Sequence, residues 1–197
     1  MGNFDPRSIE LVAIGASAGG IEALIQLLPE LPGDFGPAVL VVVHVRPDSP
    51  SLLPELFAAR CRLPVIEPND KDMIASGTIY VAPPGYHMQV EPDESIALSI
   101  DPPVRFSRPS VDVLFESAAH TYHEALLGIV LSGANDDGAR GLEVIYRAGG
   151  HCWAQDPATA PSDAMPRGAI ARGGVHEVLT LDAMAVRLRG MVGRKHQ

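Results

Sequence analysis

Fully apolar runs alternate along this chain with segments whose apolar residues recur every three to four positions, the pattern of buried strands interleaved with amphipathic helices. Residues 9–14 (IELVAI) form a short run rich in branched side chains that halts at a glycine-rich turn over 15–20. Ile21, Leu24, Ile25 and Leu28 then share one helical face until Pro29 and Pro32 close the pattern. Residues 38–43 (AVLVVV) are apolar at every position, so the strand predicted there has both faces covered, as in a parallel sheet between two helical layers. A third such strand is predicted at 126–131 (LLGIVL), followed by Ser132-Gly133, then Asn135-Asp136-Asp137-Gly138, then a helix through 148. Shorter strands are predicted at 64–66, 78–81, 96–100, 151–154 and 175–180, with Pro83-Pro84 and Pro102-Pro103 marking loops. Further helices are predicted at 52–60, at 181–192 and from Ser110, where Val111, Leu114, Phe115 and Ala118 share a face and the Ser110 hydroxyl is the expected N-cap.

Strands alternating with helices predict an α/β fold: three layers around a doubly wound, mostly parallel sheet, with a small antiparallel excursion between 64 and 100. The 197 residues, 46% of them apolar, fit one domain over 1–197 with its core at about 9–188 and a frayed tail at 194–197. A net charge of −9 opposes binding to nucleic-acid phosphates. Cys61 and Cys152 form no paired motif and read as small buried apolar residues of a protein in a reducing compartment. Residues 1–7 are polar, and the longest apolar run, 38–43, is far too short to span a bilayer. A soluble cytoplasmic protein without membrane insertion is expected.

Ligands of open parallel sheets bind at the carboxyl ends of the strands. Ser17 follows the first confident strand, His44 the second and Asp137 the third. A nucleophile, a base and a carboxylate at one edge are the parts needed to attack an acyl carbon. Ser17 lies in Gly15-Ala16-Ser17-Ala18-Gly19-Gly20, which matches G-x-S-x-G, and the N–H groups of Ala18, Gly19 or Gly20 are placed to hold an oxyanion. Taken alone, the same turn suits a phosphate-cradling loop or a plain tight connection. It is not the dinucleotide fingerprint G-x-G-x-x-G, since position 17 is serine, and no Lys-Ser/Thr pair of a P-loop follows. Asp136 rivals Asp137, and either one suits a helix cap.

Six blocks in order carry a resemblance: IGASAGGIEAL (14–24), VVVH (41–44), VAPPGYHM (81–88), SRPSVDVLFESAA (107–119), LSGANDDGARG (131–141) and MPRGAI (165–170). Together they resemble the catalytic domain of chemotaxis protein-glutamate methylesterases across nearly the whole chain. The resemblance implies a Ser-His-Asp triad of Ser17, His44 and Asp137, the aspartate being the one directly before the glycine. It implies hydrolysis of glutamate γ-methyl esters on the cytoplasmic helices of chemoreceptors, deamidation of certain receptor glutamines, and no cofactor or metal. Ala18, Val43 and Ala134 depart from the family pattern, and the small residues at 18 and 134 are expected to widen the pocket. No receiver segment precedes the first strand, so a stand-alone esterase or a fragment is expected. A non-catalytic module binding the receptor or signalling partners is the alternative, and a nucleotide-binding domain a more distant one.

Arg46 and His87 are candidate substrate-binding residues, with a packed loop histidine an equal reading of His87. Arg46, Arg105 and Arg108 flank the matched blocks and are candidates for drawing in an acidic receptor helix. His120 and His123 have metal-ligand spacing but no evident third ligand.

Overall fold

The three fully apolar runs become the centre of a sheet. In the computed structural model, which describes residues 5–48 and 50–192, β1 (Leu11–Ala16), β2 (Ala38–Val43) and β7 (Leu126–Val130) are buried at every position. The other strands of this sheet are β3 (Val65–Ile66), β4 (Ile79–Val81), β8 (His151–Gln155) and β9 (Glu177–Leu179). All seven run parallel in the order β3-β4-β2-β1-β7-β8-β9. The chain moves outward from β1 through β2 to the edge strand β3, places β4 between β3 and β2, then returns to β1's other side with β7. The strand order therefore reverses at β1, which opens a crevice at the carboxyl ends of β1, β2 and β7.

Two helical layers cover the sheet. Leu24 and Leu27 of α1 (Gly20–Leu27) pack with Val12, Val39, Trp153 and Met184 on one face, where α6 (Leu181–Leu188) lies beside α1. Leu114 and Phe115 of α3 (Val111–Tyr122) pack with Leu142 and Ile145 of α4 (Ala139–Arg147) and with Met165 and Ala169 of α5 (Ala164–Ala171) on the other. The remaining helix, α2 (Leu53–Ala58), buries Phe57 in the first layer. Each such fully buried side chain contributes roughly 1.5–3 kcal/mol.

Some predicted boundaries move. The runs at 64–66 and 78–81 belong to the main sheet's edge, because β4 is buried throughout and pairs in parallel with β2. The antiparallel excursion narrows to β5 (His87–Val90) with β6 (Ile96–Ser99), registered His87↔Ser99 to Val90↔Ile96, plus a bridge between Met73 and Ser95. The sequence pattern hides β5 because a histidine and a glutamine interrupt its four residues. It also hides α5, where Pro166 and Gly168 read as breakers. Pro166 is the third residue of that helix, in the first turn, where a backbone N–H has no intrahelical partner to lose. The tail expected to fray, 194–197, lies outside the described residues.

Candidate active site

The turn between β1 and α1 holds Ser17 by its backbone. Its N–H donates to the Ser132 carbonyl at 2.9 Å, and its carbonyl accepts from the Gly20 N–H at 2.8 Å. Gly19, at φ +74°, supplies the left-handed step from strand to helix that a side chain would strain. The Ser132 hydroxyl donates to the Ala18 carbonyl at 2.7 Å and so ties the turn to the loop after β7. Among the described residues neither the Ala18 nor the Gly19 N–H meets an acceptor, which leaves two donors at the mouth of α1. Gly133 faces Ser17 closely: a Cβ there would lie 3.0 Å from the Ser17 Cβ and 1.8 Å from the Met165 sulfur. Ala18 and Ala134 are both exposed.

His44 directly follows β2. Its N–H donates to the Ala16 carbonyl at 3.1 Å, which extends the β1–β2 register by one step and sets His44 beside Ser17. Its side chain is only 11% exposed. Nε2 lies 2.7 Å from Asp137 Oδ2, so Nδ1 is the ring nitrogen left for a second partner. The Ser17 hydroxyl makes no hydrogen bond to the described residues; nucleophile–base bonds of resting enzymes are commonly long and close with substrate.

Asp137 is fully buried and accepts from four donors: His44 Nε2, the Ser110 hydroxyl at 3.0 Å, and the Val111 and Asp112 N–H groups at 2.7 and 3.1 Å. It thereby caps α3 from outside. Ser110 stands at the N-cap position but gives its hydroxyl to Asp137 instead of accepting a backbone N–H, so the predicted cap is replaced by a longer-range one. Burial would raise the Asp137 pKa. The His44 bond and the two N–H groups outweigh burial and hold the carboxyl below its ordinary value.

Asp112 returns the favour to α4. Buried in the first turn of α3, it accepts from the Gly138 and Gly141 N–H groups at 2.9 and 2.7 Å. Each helix start is thus held by a carboxylate from the neighbourhood of the other. Burial pushes the Asp112 pKa up, the Gly141 N–H lowers it and the charge of Asp137 raises it; the net direction is upward. Arg105 and Arg140 approach its second oxygen at 3.5 and 3.6 Å.

The other candidates occupy different places. Asp136 is exposed and pairs with Arg105. His87 is buried; Nδ1 accepts from the Ser110 N–H and Nε2 donates to the Pro102 carbonyl, both at 3.2 Å, so it braces Ser110 from within the fold. Arg108 donates to the carbonyls of Ile100 and Asp101. Arg46 pairs, among the described residues, with Asp48 alone, and both side chains are well exposed. His120 bonds the Glu116 carbonyl in its own helix. No group of three or more His, Cys, Asp or Glu among the described residues is arranged to hold a metal. Sequence reasoning passed over Asp112, Ser132, Gly133 and Met165, although all four lie inside the matched blocks. An aspartate in an otherwise apolar helical face, as in SVDVLF, was the available signal.

A parallel α/β domain with serine, histidine and aspartate converging at its switch point is a hydrolase of the serine-esterase class. The chain belongs to the CheB methylesterase family, whose model matches residues 12–188. It is 44% identical over 176 residues to a Leptospira interrogans protein provisionally named protein-glutamate methylesterase/protein-glutamine glutaminase, covering 89% of this chain and 91% of that one. It is 39% identical over 183 residues to the protein-glutamate methylesterase/protein-glutamine glutaminase of Symbiobacterium thermophilum, covering 93% of this chain but 51% of that protein. The chain therefore spans about half the length of that relative. The crystal structure of the Thermotoga maritima CheB methylesterase catalytic domain superposes with a TM-score of 0.88 at 27% identity, covering 93% of this chain and 99% of that one.

Proposed function

We propose that this chain acts as one catalytic domain that hydrolyses glutamate γ-methyl esters on the cytoplasmic helices of chemoreceptors. The observation that carries the reading is the His44–Asp137 bond at the strand end beside Ser17. His44 Nδ1 takes the Ser17 proton as Oγ attacks the ester carbonyl. The Ala18 and Gly19 N–H groups hold the oxyanion. The tetrahedral adduct collapses, the C–O bond to methoxide breaks, and His44 returns the proton so that methanol leaves. Water, deprotonated by His44, then attacks the acyl-serine; the serine is reprotonated and glutamate is released. Asp137 keeps Nε2–H in place and stabilises the imidazolium that forms at each step. A receptor glutamine enters the same sequence with ammonia as leaving group. Arg46, two residues beyond His44, is exposed and paired with Asp48; it can exchange that partner for acidic groups of the substrate, and Arg46→Glu raises KM on receptor more than on a small ester.

No helix among the described residues is long and apolar enough to cross a membrane, which suits an enzyme that meets its receptor from the cytoplasm. The test is methanol release from tritium-methylated receptor membranes. Ser17→Ala is expected to lower release by about 10³-fold or more. Equal release by the variant and the parent protein would remove Ser17 from the mechanism.

A further inference from the structure

Between β6 and α3 the chain makes a hairpin whose composition contradicts its shape. Val104 and Ser107 exchange two backbone hydrogen bonds, 3.1 and 2.8 Å, around a two-residue loop of Arg105 and Phe106. Both loop residues are left-handed, at φ +49° and +63°. Turns of this shape favour Asn-Gly or Gly-Gly, and a side chain as large as phenylalanine is disfavoured there. Packing does not compensate: Phe106 is 104% exposed, and Ile100 near the hairpin's base is 72% exposed.

The stalk beneath that tip is tied to the catalytic edge. Arg105 bonds Asp136 and approaches Asp112, the residues that precede Asp137 and hold the turn after it. Arg108 fixes the other leg to the Ile100 and Asp101 carbonyls at 2.7 and 3.0 Å. Ser110, two residues further on, donates to Asp137 itself. A strained, solvent-facing aromatic on a mount anchored to the triad carboxylate is the kind of outlier that points to a binding role.

We propose that the Arg105–Phe106 hairpin is a docking finger for the protein substrate, with Phe106 inserting among apolar side chains on the helix that carries the ester. This rests on the receptor-esterase reading above. The hairpin is tied to Asp136, the neighbour of Asp137, so a macromolecule presenting an ester at Ser17 is placed to reach the tip, whereas a small ester is not. The arginines on either side of the tip are engaged within the chain, so the contact offered at this point is apolar, not cationic.

The experiment compares kcat and KM for the parent protein, Phe106→Ala, Phe106→Leu and Phe106→Gly, on methylated receptor membranes and on a small glutamyl methyl ester. Phe106→Ala is expected to raise KM on receptor about tenfold, with kcat and the small-ester kinetics unchanged. Leucine restores part of the loss. Glycine, which suits φ +63°, raises Tm while weakening receptor KM as alanine does, a combination that a structural defect does not produce. Unchanged receptor KM in Phe106→Ala overturns the finger, as does an equal loss on both substrates, which would place the effect at the triad through Arg105. A parent protein that cleaves the small ester but never the receptor overturns the choice of substrate, and the finger with it.

Discussion

Asp137 meets four donors and no solvent, whereas Ser17, at the neighbouring strand end, is held by its backbone while its hydroxyl stays unbonded among the described residues. The carboxylate's surroundings are assembled from three separate stretches of chain: the end of β2, the start of α3 with its cap residue Ser110, and the loop after β7. The serine needs only a short turn and a glycine at φ +74°. The difference suits the roles proposed for the two groups. A buried charge without partners costs several kcal/mol, so its environment has to be complete before substrate arrives. A nucleophile must rotate from its base to the acyl carbon and back, and extra hydrogen bonds would hold it still.

Breaking the rigid half has the largest expected effect. Asp137→Asn keeps the shape of the site but weakens its hold on the His44 imidazole, and kcat is expected to fall about 10⁴-fold with KM little changed. Steady-state kinetics on the methylated receptor check it, and a loss below tenfold would show that Asp137 does not govern His44. Asp112→Ala attacks the same half from behind by leaving the Gly138 and Gly141 N–H groups buried without acceptors. Roughly 2–4 kcal/mol of stability should be lost, read from urea unfolding, and Asp112→Asn, which keeps an acceptor, should lose distinctly less. On the mobile side, Gly133→Ala drives a methyl into the Met165 sulfur. A cost of roughly 1–3 kcal/mol is expected together with lower activity. Adding Met165→Ala should restore part of both; if it does not, the close packing behind Ser17 is not the cause.

The smallest effect lies at the start of β8 and sharpens the contrast, because there a half-buried imidazole packs against a second one. His151 and His176 stack with ring centroids 4.5 Å apart. Burial, and secondarily the neighbouring imidazole, lowers the His151 pKa from 6.5 to about 4. The unfolded chain takes up that proton near 6.5 and the folded one only near 4, so stability is full above this window and declines as pH falls through it. The opposite edge differs in position but not in sign: the depressed Asp137 pKa contributes stability that is lost only in the acid range below ordinary carboxylate titration. Tm measured against pH should decline from about 6.5 toward 4 in the parent protein and decline less in His151→Gln.

Much of this was legible beforehand. Three runs of unbroken apolar residues forced three buried parallel strands, and the residues after them, Ser17, His44 and Asp137, stand at one end of the sheet, where His44 and Asp137 bond. That inference works because a strand's end is set by local hydropathy, and parallel neighbours bring their carboxyl ends to one edge. Residues whose roles depend on how layers meet were not legible. Ser110 read as a cap, yet its hydroxyl crosses to Asp137; His87 read equally as a lining or a packed loop residue, and only the structure shows that it braces Ser110 from inside; the flanking arginines read as cationic bait, yet all three are engaged with loop carboxylates or carbonyls.

The sequence by itself determined the order and type of most elements, β5 and α5 excepted, the family, and the residues proposed for the chemistry, because periodicity and short motifs are local properties of a chain. Tertiary structure alone decided that α3 and α4 exchange carboxylate caps, that His44 turns Nε2 to Asp137, and that Phe106 stands in solvent on a stalk tied to Asp136. Those pairings join residues far apart in sequence, and only packed layers bring them within hydrogen-bond reach.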